Sequence, residues 1–113
     1  MSIKRNTTPT IDITINLPFE NVQKIEFIFK EKNNKDAPIL LYKTFSKDTL
    51  NLKEGDKSKK FTVLVDLTCE DTLKLPAGKI YVDSRVTLTN GKVPNTKITS
   101  SYVSETFFEE VHK

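Results

Sequence analysis

The sequence is poor in the residues that do chemistry. It holds one cysteine, one histidine, no tryptophan and three glycines in 113 residues. A single cysteine, Cys69, rules out an intrachain disulfide. Zinc sites built from nitrogen and sulfur need several His or Cys ligands, so one subunit cannot supply one. The single histidine, His112, stands next to the last residue, where a fraying end holds a catalytic base poorly, and it reads as a solvated tail residue. None of the three glycines sits in a phosphate-cradling motif. No apolar run reaches membrane-spanning length. The opening residues, Met1 to Asn6, lead into polar sequence without the apolar stretch of a secretory signal, so synthesis in a cytoplasm without membrane insertion is expected. Net charge is +3, from 18 basic and 15 acidic residues. That balance lacks the clustered positive charge expected of a nucleic-acid binder.

What the chain does have is β-prone alternation. Ile11, Ile13, Ile15 and Leu17 alternate with Asp12, Thr14 and Asn16, which predicts a strand with one wet face, ended by Pro18. Ile25, Phe27 and Phe29 alternate with Lys24, Glu26, Ile28 and Lys30. Lys30 to Asp36 reads as a hairpin tip. Ile39 to Phe45 is a further β-prone run, and Thr49 to Leu52 extends it after a kink. Lys53 to Lys60 is a charged loop, followed by a strand over Phe61, Val63 and Val65. The longest alternation is Ile80, Val82, Ser84, Val86 and Leu88, against Tyr81, Asp83, Arg85, Thr87 and Thr89. Asn90-Gly91 follows, a strong turn signal because both residues accept positive φ. The return strand runs from about Thr96 to Ser104, and Val93-Pro94-Asn95 predicts a bulge or wider loop before it.

One segment breaks the alternation. Thr68-Cys69-Glu70-Asp71 fits a helix cap, with the Thr68 hydroxyl placed to accept from the backbone near Asp71. Pro76 and Gly78 end that element. Six or seven strands with charged tips and one short helical turn near 68–74 predict an all-β, antiparallel, immunoglobulin-like sandwich. Residues 1–113 are expected to form a single domain with flexible ends at about 1–8 and 106–113.

The remaining motifs favour contact over catalysis. Cys69 at a helix start is a small residue in a turn and, at most, a crosslinking handle. Glu70-Asp71 and Glu109-Glu110 are sequence neighbours, which cannot face each other across a cleft as glycosidase carboxylates must. Lys57-Ser58-Lys59-Lys60 lies beside Glu54 and Asp56 and reads as a solvated loop. No catalytic residue, metal site or cofactor is expected. Phe107 and Phe108 are adjacent, so in a strand they point to opposite faces and cannot share one core. They are the candidate interaction residues, one of them packing on a neighbouring subunit or both buried beneath a loop. A carbohydrate or host-surface site is the alternative, for which Tyr42, Tyr81 and Tyr102 are the available aromatics.

Several motifs in order resemble a known family. Arg5-Asn6-Thr7-Thr8-Pro9-Thr10, Leu17-Pro18-Phe19, Ile25 to Phe29, Leu67 to Leu75, Ile80 to Gly91 and Ile98 to Val103 are similar to elements of short proteins encoded in phages and prophages of Firmicutes. The lysine-rich middle, Lys30 to Lys60, departs from that pattern. The resemblance implies a virion- or tail-associated structural component of immunoglobulin-like shape. It would be made in a bacterial host cytoplasm and partnered by other phage structural proteins, with homo-oligomers as a further expectation.

Overall fold

The computed structural model describes residues 2–107. Seven strands and one helix follow in order: β1 (Ser2–Lys4), β2 (Thr10–Ile15), β3 (Val22–Lys30), β4 (Leu41–Ser46), β5 (Phe61–Asp66), α1 (Cys69–Leu73), β6 (Gly78–Leu88) and β7 (Thr99–Ser104). They form a five-stranded sheet, β1-β7-β6-β3-β4, and a two-stranded sheet, β2-β5. The fold is an immunoglobulin-like β-sandwich. Inward residues of both sheets make one core. Ile11, Ile13, Ile15, Val63 and Val65 come from the small sheet, and Ile25, Phe27, Phe29, Ile80, Val82 and Val86 from the large one. Each set is spaced by two residues because successive strand side chains point to opposite faces.

Three expectations need correction. The start of the chain is not a loose end: Ser2–Lys4 is a strand, and Ile3 is buried in the core. The sandwich is also not wholly antiparallel, because β1 runs parallel to β7, with Ile3 opposite Val103. A three-residue strand carries too little alternation to be seen in sequence. Thr49 to Leu52 does not extend β4. Lys47–Thr49 is a 3-10 turn, and Leu52 instead bridges Val63 of β5.

The Asn90-Gly91 turn forms as the residue types require. Gly91 has φ 82° and its N–H reaches the Leu88 carbonyl. Positive φ there is accessible to glycine without a Cβ clash. The chain then swings wide, and β7 pairs only with Gly78–Val82 of β6. β3 carries a bulge between Val22 and Lys24, which leaves Gln23 and Lys24 both exposed while Val22 and Ile25 stay inside.

The two sheets are tied at one corner. The chain leaves β1 through Arg5 and Asn6, and Asn6 takes φ 57°, a left-handed conformation that Asn tolerates better than most residues. Arg5 donates to the Leu73 carbonyl at 3.1 Å and pairs with Glu105 at 2.8 Å. Thr72 is fully buried. Its hydroxyl accepts from the Thr7 N–H at 3.3 Å and lies within bonding distance of the Thr7 and Cys69 carbonyls. α1 starts with the expected cap: the Asp71 N–H donates to Thr68 Oγ1 at 3.0 Å, and the Thr68 N–H donates to Asp71 Oδ2 at 2.9 Å. Such a cap contributes about 1 kcal/mol.

Candidate interaction surface

The core-facing side of β3, β4 and β6 fixes what the other side must show. Along β6, Lys79, Tyr81, Asp83, Arg85 and Thr87 point to solvent, alternating with the buried Ile80, Val82, Ser84 and Val86. On β3 the outward set is Lys24, Glu26, Ile28 and Lys30, and on β4 it is Tyr42, Thr44 and Ser46. β7 adds Ser100 and Tyr102. All three tyrosines of the chain therefore stand on the solvent face of the five-stranded sheet.

Cross-strand register places them in rows. Tyr42 lies opposite Ile28, and Ile28 lies opposite Asp83. Lys30 lies opposite Tyr81, and Tyr81 opposite Ser100. Lys79 lies opposite Tyr102, which is opposite Ser2. Tyr102 is 62% exposed, Tyr42 46% and Ile98 45%. Tyr42 and Tyr102 are three strand spacings apart across the sheet, roughly 14 Å by ordinary sheet geometry. The Lys79 ammonium lies 5.3 Å from the centre of the Tyr81 ring.

Polar contacts hold the face in shape. The Tyr42 hydroxyl donates to Glu26 at 2.5 Å. That bond, helped by Lys24 and Arg85, holds the Glu26 carboxyl below its ordinary range, and it raises the Tyr42 phenol. Beside the tyrosines, the loop after β3 closes one side of a niche of about 310 Å³ lined by Ile28, Tyr81, Ile98, Lys30, Lys32 and Lys35. The Lys30 ammonium holds that loop by donating to the Asn34 and Lys35 carbonyls at 3.3 and 3.0 Å. The niche has an apolar floor and a cationic rim, a form suited to an apolar or aromatic group carrying negative charge.

The expected interaction residues fare differently. Phe107 is fully exposed and packs into no part of the described core. Phe108 lies outside the described residues, as do Glu109, Glu110 and His112. Cys69 is buried at the start of α1, so it is not an exposed crosslinking handle. Asp71 is structural. Burial alone would raise its carboxyl, but the Lys43 ammonium at 2.6 Å and the Thr68 N–H hold it below the ordinary range. The lysine-rich loop satisfies itself locally, with Lys57 donating to the Gly55 carbonyl and the Ser58 N–H to Asp56. Among the described residues no three His, Cys, Asp or Glu side chains converge as metal ligands. None of the helices described is long and apolar enough to cross a membrane.

The tyrosine face was only partly visible in the sequence. Tyr81 falls in the polar phase of the longest alternation, which marks it as outward. Tyr42 and Tyr102 sit in segments whose alternation is weaker, and nothing local says that all three share one sheet.

No protein-family model matches this sequence, and no curated protein matches it. Among solved structures, the chain is similar to one from a photo-crosslinking study of the multimeric cell-adhesive interactions of voltage-gated sodium channel β subunits. The identity is 12% and the TM-score 0.43, covering 94% of this chain and 89% of that one. It is also similar to the extracellular domain of the sodium channel β4 subunit, solved as a parallel homodimer and linked there to cell–cell adhesion. Here the identity is 14% and the TM-score 0.38, covering 93% and 87%. The fold assignment rests on the strand order and register described above.

Proposed function

We propose that this chain is a non-enzymatic contact module, a structural or interaction component of a phage or prophage particle, which docks a protein partner on its tyrosine face. The observation that carries the contact reading is the gathering of Tyr42, Tyr81 and Tyr102 with Ile28 and Ile98 on one exposed sheet face. Tyrosine brings large amphipathic area at low entropic cost and is enriched where proteins bind one another. The ordered run of motifs that resembles phage and prophage proteins supports the particle setting, in the tail, baseplate or elsewhere in the virion.

Fractionation of particles released from a host strain carrying the gene tests both parts. The wild-type chain co-sediments with particles, and a folded Tyr81→Ala/Tyr102→Ala variant stays in the soluble fraction. Wild-type chain absent from particles would overturn the phage setting. Incorporation of the double variant at the wild-type level would overturn the tyrosine face. The niche beside Tyr81 favours a second reading, a carbohydrate or host-surface ligand, and glycan-array binding that is lost on Tyr81→Ala would replace the first.

A further inference from the structure

A sheet edge is a row of unpaired backbone groups, and proteins usually blunt it. This sandwich has four edges, and three carry a device. β1 is only three residues long. β4 turns the charged Lys43 inward, toward Asp71. The outer side of β5 is covered by Asn51 to Lys53: the Leu64 N–H reaches the Asn51 carbonyl at 2.8 Å, and the Lys53 N–H reaches the Thr62 carbonyl at 3.0 Å.

β2 is different. It is six residues long, regular in its alternation, and free of proline, lysine and bulge. The Leu67 N–H bonds the Pro9 carbonyl, so in this register Ile11, Ile13 and Ile15 are the β2 residues that bond β5. The N–H and C=O groups of Asp12 and Thr14 therefore point away from β5. Among the described residues, no hydrogen bond reaches them.

We propose that this edge pairs with the same edge of a second copy, antiparallel, about a two-fold axis through Ile13. The choice of partner follows from the edge's own pattern. Outward groups lie only on even-numbered residues, so the two strands must join even residue to even residue. Centring on Asp12 sets two carboxylates directly opposite each other, which is destabilising. Centring on Thr14 carries the strands past Asn16, where Asn95 to Lys97 lie alongside. Centring on Ile13 puts each Asp12 opposite the other copy's Thr14, a carboxylate facing a hydroxyl, and supplies four backbone hydrogen bonds. It also continues the apolar row, with Ile11 opposite Ile15. The product is a continuous sheet, β5-β2-β2-β5, with the isologous contact of a C2 dimer. It uses the small sheet and leaves the tyrosine face free, so it goes beyond the function proposed above and does not depend on it.

The test is sedimentation of the full chain over a concentration series, together with amide exchange. The wild type associates to a dimer by about 1 mM, the weak end of specific binding. With association, the Asp12 and Thr14 amides gain protection, while Ile11 and Ile13 stay protected throughout. Thr14→Pro removes an outward N–H that β5 does not use and gives a monomer. Because proline strains a strand, two further variants read the register. Thr14→Glu, facing the partner's Asp12, weakens the dimer about tenfold, and Thr14→Lys tightens it. A wild type still monomeric at that concentration overturns the proposal. So does a dimer in which Glu and Lys at position 14 act alike.

Discussion

The corner where the chain crosses between sheets and the solvent face of the large sheet are built on opposite terms. At the corner, short polar side chains are spent on the protein itself. Thr7, Thr68, Asp71 and Thr72 bond one another's backbones, and Arg5 spans from α1 to Glu105. On the solvent face, large side chains are left unspent: Tyr42, Tyr102 and Ile98 stay exposed with room around them. The difference teaches where stability and contact reside. A buried hydroxyl with several partners cannot be removed cheaply, because its partners lose both that bond and access to water. An exposed tyrosine can be removed with little effect on folding, because it holds nothing in place.

Substitutions can break or sharpen that contrast. Thr72→Val keeps the shape and removes the hydroxyl, leaving the Thr7 N–H without this acceptor. It is expected to lower unfolding stability by about 2 kcal/mol in urea titration, and a loss under about 0.5 kcal/mol would show that the corner is not a structural tie.

Asp71→Asn comes next, at about 1 kcal/mol near neutral pH. Its signature is in acid. The folded carboxyl titrates below its ordinary value of 3.8. The wild type therefore holds this contribution in full above that value and loses it as pH falls through the lower folded value. In the Asn variant that part of the acid sensitivity disappears, which unfolding curves between about pH 2 and 5 would detect.

Tyr102→Ala is the smallest in stability, within about 0.5 kcal/mol, and it should act on docking alone. A large loss of stability from this substitution would move Tyr102 from contact surface to structural support.

The strands were legible because one-sided burial demands a period of two, and the hydrophobic residues of β2, β3, β5 and β6 keep it. α1 was legible because Thr68 and Asp71 stand at cap spacing with a leucine on each side. β1 was not legible: three residues hold no period, and Ile3 is core only because Val103 lies beside it. The Arg5 to Thr10 segment looked like a motif without a task. Its task is to carry the chain from one sheet to the other, and the groups that show it are 65 or more residues away in sequence. The interaction residues named from sequence, Phe107 and Phe108, followed from local strand geometry. Phe107 lies beyond the end of β7, where that geometry no longer applies.

By itself, the order of side chains determined that this polypeptide forms strands, where most of them turn, and that its reactive residues are too few to assemble a conventional active site. Each of those properties depends on near neighbours along the chain. Only the tertiary structure decided which strands share a sheet, that three scattered tyrosines meet on one face, and that β2 is left with an open edge. Those are matters of pairing between distant segments, where backbone hydrogen bonds and a shared core choose the partners.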